Sequence, residues 1–275
     1  MASFSRLKDI LRSLPASPRV ALLSGAGISA ESGIPTFRGP EGYWRVGSRE
    51  YRPQEMATLS MFNQNPWEVW SWYLYRRAVC SRAAPNPGHF AAGRIEELCG
   101  DRFRLITQNV DGLHLKAGNT EPRTFQIHGN LHFMRCARPC ELKILEIPPE
   151  VQGKGKGQPL TRAEQEALVC PFCGSLTRPH VLWFDECYNE HFFRSESALQ
   201  WALTTDLLFV VGTSGATTLP MHVTEIVFRK PDAALVDINT EDNPFRSLAQ
   251  SHPNGVVLDG KSGEMLPAVV ELLGN

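Results

Sequence analysis

No apolar run in the 275-residue chain approaches the roughly 18 residues that a membrane-spanning helix needs, so no membrane partner is expected. An excess of charge of either sign is also missing. The chain has 28 Lys and Arg against 29 Asp and Glu, a formal net charge of −1. That balance provides no broad basic face for nucleic acid or an anionic bilayer. A secretory signal pattern is absent too. The seven cysteines are therefore expected as thiols or metal ligands rather than disulfides, and the expected location is cytoplasmic. Residues 1–14 do carry Arg6, Lys8 and Arg12 on a helical pattern, as a transit peptide would. Asp9 argues against one, and an ordinary first helix packing Leu7, Ile10 and Leu11 on the core is preferred. There are no internal repeats. With 42% hydrophobic and 21% charged residues, the chain has the composition of a globular enzyme and the length of one large domain or a domain with an insertion.

A second strand is missing where one is due. After the apolar run 20–23, Gly25, Gly27 and Ala30 satisfy G-x-G-x-x-G/A, a dinucleotide fingerprint. An ordinary dehydrogenase continues with a helix, a strand and a ribose-binding acid within about 20 residues. Here Pro35, Phe37, Arg38, Gly39 and Pro40 follow instead. Taken singly the motif is weak, because a tight turn in a core can supply it.

Short apolar runs recur at 20–24, 103–107, 124–128, 207–212, 234–238 and 256–258. Helical patterns fall between several of them, at 89–98, 195–204, 221–228 and 265–273. This alternation predicts an α/β fold with a parallel, Rossmann-like sheet covered on both faces. Two stretches stand outside it. Residues 41–84, rich in Trp, Tyr and Arg, read as helices, and 133–174 hold four cysteines around "PPEVQGKGKGQP", which reads as a flexible surface loop. The expected organisation is a large domain from 1–40, 85–132 and 175–275, with a small lobe from 41–84 (helical) and 133–174 (metal).

Cys136 and Cys140, then Cys170 and Cys173, form C-x3-C and C-x2-C pairs about 30 residues apart, the spacing of a zinc ribbon. Four buried thiols are the plainer alternative, but Pro and Gly in knuckle-like turns beside the pairs favour zinc. A closed four-thiolate site leaves no open position, so one structural zinc per chain is expected. Cys80, Cys99 and Cys187 are expected to be core thiols.

"GAGISAESGIPTFRG" at 25–39, "TQNVDGLH" at 107–114, "IHGN" at 127–130, "GTS" at 212–214 and "DINTE" at 237–241 occur in the order found in sirtuins, and the cysteines fall where that family has them. From about residue 18 to 270 the chain resembles sirtuins, NAD-dependent protein deacylases. The resemblance implies NAD and an acyl-lysine protein or peptide bound in a cleft between a Rossmann-like domain and a smaller lobe of zinc ribbon and helices. It explains the missing strand as well. An enzyme that cleaves the nicotinamide–ribose bond must exclude water from the anomeric carbon, and a loop bearing Thr36, Phe37 and Arg38, next to Ala26 and Gly27, would close over it. The helix starting near Ile28 would still offer its amides to the pyrophosphate.

The resemblance further implies Gln108 near the ribose, Asn109 and Asp111 in a nicotinamide pocket, and Gly25, Gly212, Thr213 and Ser214 around the cofactor. Asn239, Glu241 and Ser262 would meet the adenosine end. His128 is the implied general base. After the acyl oxygen attacks the anomeric carbon, it would activate a ribose hydroxyl, releasing lysine and an O-acyl-ADP-ribose. Read without the family, "QNVD" could be a loop cap, and a lone His at a strand end is more often structural.

Peptide binding by strand addition would involve Val181, Trp183 and Phe184 in "HVLWFDE", although Asp185 stands where the family typically has Gly. In "GTSGATTLP", Gly215 and Thr217 replace bulkier residues. Tyr73 and Arg76 in "WSWYLYRRAV" share a helix face, and sirtuins that remove succinyl, malonyl or glutaryl groups carry Y-x-x-R here. Guanidinium and phenol would pair with the distal carboxylate in an apolar channel. The plainer alternative is a surface helix with solvated Arg76 and Arg77. The expected function is deacylation favouring acidic acyl groups. The alternatives are a general deacetylase or a sirtuin-fold ADP-ribosyltransferase or NAD hydrolase. A non-catalytic NAD-sensing module would predict erosion of Asn109, Asp111 or His128, and all three are intact.

Overall fold

Runs such as Val20–Ser24 and Leu207–Val211 have no polar face, so each strand must be covered on both sides. The computed structural model describes residues 2–35, 44–46, 49–138 and 140–274, with 44–46 and 49–50 described by backbone alone. The chain begins with α1 (Ala2–Ser13), β1 (Val20–Ser24) and the short α2 (Ala26–Ala30). A hairpin of β2 (Trp44–Val46) and β3 (Arg49–Tyr51) follows, then α3 (Pro53–Met56), α4 (Leu59–Gln64) and α5 (Pro66–Arg82). Next come α6 (Pro87–Cys99), β4 (Phe103–Thr107), α7 (Leu113–Lys116), β5 (Thr124–Gln126), β6 (Gly129–Cys136), β7 (Ile144–Glu146), α8 (Arg162–Ala167) and β8 (Thr177–Val181). The rest alternates: α9 (Glu190–Phe193), α10 (Ser195–Leu203), β9 (Leu207–Val211), α11 (Thr218–Phe228), β10 (Ala234–Asn239), α12 (Pro244–Ser251), β11 (Gly255–Asp259) and α13 (Ser262–Leu273).

Six parallel strands order as β11-β10-β9-β1-β4-β5, with Val20 of β1 opposite Phe103 on one side and Leu207 on the other. Alternate residues feed two cores. Val20, Leu22, Phe209 and Val236 pack with α1, α6 and α13, while Leu23, Leu208, Val210 and Leu235 pack with α10, α11 and α12. In α1, Leu7 and Ile10 are buried and Leu11 is packed at the margin, as its helical pattern implies. No described helix is long and apolar enough to cross a membrane.

A third core belongs to the smaller lobe. It gathers Met56, Phe62, Trp70, Tyr73 and Leu74 from the helices with Met134, Leu168 and Trp183 around the antiparallel sheet β7-β6-β8. The Trp70 indole N–H donates to the Thr177 carbonyl at 2.9 Å, so the polar atom of this buried ring is satisfied.

Two expectations change here. The stretch 41–84 is not wholly helical, because it opens with the hairpin β2–β3, whose Trp-Arg-Val and Arg-Glu-Tyr alternation suits strands better than a helix. The 148–159 segment is not a flexible loop. Val151 and Lys154 are buried, and Lys154 pairs with Glu164 at 2.6 Å, which offsets the burial of its charge. The Lys154 amide bonds to the Leu74 carbonyl and Arg77 reaches the Val151 carbonyl at 3.0 Å, fastening the segment to α5.

Candidate active site and metal centre

At the carboxyl edge of the sheet the turn after β1 meets the turn after β9. The Gly25 and Gly27 amides donate to the Val211 and Gly212 carbonyls at 2.9 and 2.7 Å. A Cβ on Gly27 would lie 2.7 Å from the Gly212 Cα, and one on Gly25 would lie 2.6 Å from the Thr213 Cβ. Only glycine permits that approach. Gly25 caps α2 with no side chain, so no capping side chain occupies the space in front of the helix. A cradle of this kind fits a dinucleotide phosphate, and Ala26 begins the helix within it.

Gln108, Asn109 and Asp111 follow β4 at the same edge. The Asn109 side-chain amide donates to the Gly25 carbonyl and to Ser29 Oγ, each at 3.0 Å. Ser29 in turn donates to Asp111 at 2.7 Å. Asp111 also accepts from the Leu113 amide at 2.8 Å at the start of α7, as the turn-capping reading expects. Ser29 lies 3.3 Å from His89 Nε2, and Ser24 lies 2.9 Å from His114 Nε2. Burial pulls both imidazoles down, to about 4 and about 3, so Asp111 sits among neutral rings. Gln108 Nε2 donates to Thr213 Oγ1 at 2.9 Å, and Thr217 donates to Gln108 Oε1 at 3.1 Å.

His128 lies in the turn between β5 and β6 and precedes Gly129. A Cβ at Gly129, where φ is +84°, would lie 2.1 Å from the His180 carbonyl oxygen, so glycine is what lets β6 pass β8 immediately after the histidine. His128 Nδ1 lies 3.1 Å from the Gln108 carbonyl. A carbonyl only accepts, so Nδ1 carries the proton and Nε2 presents a lone pair. Burial lowers this imidazole to about 4, and it is neutral and basic at neutral pH.

The adenosine-end candidates are partly tied up by their own neighbours. Asn239 donates to the Thr213 carbonyl at 3.2 Å and to buried Asp237 at 3.3 Å. Ser262 donates to Glu31 at 2.7 Å, joining α13 to the end of α2. Ser214 and Glu241 are exposed. Thr36, Phe37 and Arg38 lie outside the described residues.

On the peptide side, Val181 and Trp183 are buried while Phe184 is 56% exposed. The Asp185 carboxylate accepts from the Leu59 and Ser60 amides at 2.6 and 3.0 Å. It thus serves as a cap for α4 that glycine cannot provide. Arg178 grips Glu186 through two contacts at 2.5 and 2.6 Å, and its guanidinium carbon stacks 3.4 Å from the Trp183 ring centre. The Trp183 indole donates to the Tyr73 hydroxyl at 2.9 Å, which leaves the phenol its own proton to donate. Tyr73 is buried and Arg76, half-buried, stacks 5.3 Å from the Trp72 ring centre. Arg76 acts electrostatically on the Tyr73 phenol, whose pKa burial raises. The pair therefore belongs to the small-lobe core rather than to a solvated face.

The Sγ atoms of Cys136, Cys140, Cys170 and Cys173 all lie within 4.8 Å of one another, with Cys136–Cys173 and Cys140–Cys170 at 3.6 Å. Tetrahedral zinc with bonds of about 2.3 Å separates its sulfurs by about 3.8 Å, so the four thiols fit that ion. Of the remaining cysteines Cys80 is buried and Cys99 half-buried, but Cys187 is exposed, because it sits on the turn after Glu186 rather than in an apolar run.

Sequence reasoning missed Ser29, Thr217 and Tyr188 as members of the site. Thr217 carried a signal as a departure from the family pattern. Ser29 and Tyr188 carried none, since their partners are 82 and 60 residues away in sequence.

A profile described as "Sir2 family" matches residues 25–218. A "NAD-dependent protein deacylase" of Leptospira interrogans is 41% identical over 258 residues, 94% of each chain. The chain belongs to the Sir2 family. Among other relatives, "NAD-dependent protein deacylase 2" of Pyrobaculum aerophilum is 37% identical over 94% of this chain and 92% of its own. Of solved structures, "Crystal structure of a Sir2 homolog-NAD complex" superposes with TM-score 0.77 at 33% identity, covering 100% of this chain and 94% of that one. A second, "Sir2-p53 peptide-NAD+", gives 0.75 at 27%, covering 98% of each. The Rossmann-like sheet and the four-cysteine lobe described above are the family fold.

Two outcomes are expected. Purified protein should contain one zinc per chain by metal analysis, and Cys173→Ala should lose it together with thermal stability. A variant that is zinc-free yet as stable as the parent would contradict a structural metal. The second outcome concerns acid. Burial holds His89, His114, His128 and His180 at about 4, 3, 4 and 3, whereas an unfolded imidazole titrates near 6.5, each unit of difference being worth about 1.4 kcal/mol. Between those values the unfolded chain binds more protons, so stability is complete above about pH 6.5 and is lost as the pH falls toward 4. Urea unfolding at a series of pH values checks this, and a midpoint that stays flat across the window would contradict it.

Proposed function

We propose that the chain is an NAD-dependent protein-lysine deacylase that prefers succinyl, malonyl or glutaryl groups to acetyl and forms nicotinamide and an O-acyl-ADP-ribose. The observation that carries the reading is His128, a neutral imidazole whose Nδ1 is committed to the Gln108 carbonyl and whose Nε2 carries the lone pair that a base needs. Family membership supports the coarse activity. The nucleotide lobe of this reading is 1–40, 85–132 and 175–275, its small lobe is 41–84 and 133–174, and its location is cytoplasmic.

NAD, when bound, supplies an anomeric carbon with nicotinamide as leaving group. Gly25, Gly27 and Gly212 shape the phosphate cradle by letting the two turns close, and Ala26, Thr213 and Ser214 line it. Asn109 and Asp111 orient the carboxamide, Gln108 meets the ribose, and Asn239, Glu241 and Ser262 receive the adenosine end. Thr36, Phe37 and Arg38 exclude water. His128 accepts a ribose hydroxyl proton at Nε2, a transfer matched to its neutral state.

Val181, Trp183 and Phe184 position the peptide. The acidic preference rests on Tyr73 and Arg76. Trp183 donates to the phenol oxygen, leaving the phenol its own proton to give, and Arg76 would pair its charge with a carboxylate that would otherwise be costly to bury.

His128→Ala should lower deacylation by roughly 10²–10⁴ while NAD binding stays measurable by calorimetry, and near-parental turnover would remove the histidine from the chemistry. Arg76→Met should lower kcat/KM for succinyl-lysine peptide about 10- to 150-fold, equivalent to the roughly 1.5–3 kcal/mol of a charged hydrogen bond, and should spare acetyl-lysine, which is too short to reach it. Equal parental rates on both peptides, indifferent to Arg76, would leave a deacylase without acidic preference.

A further inference from the structure

The Nε2 atom assigned above as a base already has a partner. The Tyr188 hydroxyl lies 2.8 Å from it, and the two rings stack with centres 5.8 Å apart at 29°. Nδ1 carries the imidazole proton, so the phenol must be the donor and Nε2 the acceptor. A ribose hydroxyl giving its proton to His128 has to meet the same lone pair from the same side. Both cannot occupy it at once.

We propose that Tyr188 is a positioning residue that stands in for the substrate hydroxyl at His128 Nε2 in the ligand-free enzyme and withdraws when the nucleotide binds. The inference rests on the reading of His128 as the base.

The surroundings offer the phenol a second station. Thr217 neighbours Tyr188 closely enough to act on its phenol and donates to Gln108 Oε1, while the Gln108 carbonyl holds His128 Nδ1. Tyrosine, histidine, glutamine and threonine therefore form a hydrogen-bonded chain, and in the proposed withdrawal the phenol turns from His128 toward Thr217. The backbone need not follow, because Asn189 caps α9 through the Phe192 amide at 2.9 Å. Burial raises the Tyr188 phenol to about 12, so it is a protonated donor throughout the neutral range. The groups facing the imidazole are Tyr188 and the Gln108 carbonyl, and no charged side chain of the described residues contributes to its lowered pKa. The consequence is twofold. A donor at Nε2 favours the neutral ring, keeping the base in its working tautomer before substrate arrives. That same bond must be broken for the nucleotide ribose to dock, which weakens binding.

The test uses the full ligand-free chain with the histidines labelled for NMR. Tyr188→Phe keeps the stacked ring and deletes the donor. The His128 pKa should rise by up to about one pH unit, and the Kd for ADP-ribose by calorimetry should fall about 2- to 10-fold. A ring serving only as packing would move neither. An unchanged or lower His128 pKa, or unchanged or weaker ADP-ribose binding, overturns the proposal. If the variant does not fold, the parent decides, because the Tyr188 hydroxyl proton bonded to Nε2 should disappear from the spectrum on saturation with ADP-ribose, and its persistence overturns the proposal. Failure of the underlying reading is separate, appearing as activity retained in His128→Ala whatever Tyr188 does.

Discussion

The turns after β1 and β9 touch backbone to backbone, with 2.7 Å between the Gly27 amide and the Gly212 carbonyl, and the catalytic edge is built outward from that contact. It sets where α2 begins. It therefore sets where Ser29 presents its hydroxyl to Asp111, where the Gly25 carbonyl receives Asn109, and where Thr213 meets Gln108. A methyl group on either glycine would push the two turns apart, and each of those hydrogen bonds is too short-ranged to follow.

The second junction couples the lobes. The His128 carbonyl accepts from the Leu182 amide at 2.9 Å, so the proposed base and the segment 180–186 share one hydrogen-bonded crossing. Within a few residues that segment binds Glu186 to Arg178, caps α4 with Asp185 and donates from Trp183 to Tyr73. The group that would read the acyl chain and the group that would move the proton are thus mounted on one short stretch, held by the small-lobe core on one side and the sheet on the other. Such doubly anchored geometry is what acid–base chemistry requires of its side chains.

Much of the main sheet was legible because a parallel strand buried on both faces is a largely apolar run; β1 and β9 are such runs, and β4 and β10 are broken in their interiors only by Arg104 and Asp237. The metal centre was legible because its ligands come in close pairs whose spacing is a property of the chain. The hairpin β2–β3 was not legible, since strands of three residues carry too little periodicity to compete with the aromatic helix beside them. The burial of Lys154 was hidden for a different reason, since a lysine in a glycine-rich stretch goes inside only when a carboxylate such as Glu164 is there to meet it.

What the sequence determined by itself is the α/β class, the four-thiolate site and the family, because each is carried by residue type at a fixed local spacing. What only the tertiary structure decided is how those groups are engaged. Asp185 departs from the family pattern in sequence yet becomes a helix cap in space. Cys187, expected in a core, faces outward. Tyr188, unremarked along the chain, reaches the one nitrogen of His128 that matters. Hydrogen bonding is decided by distance and direction within about 3 Å, and residues far apart in the chain acquire those only when the sheet and both lobes are in place.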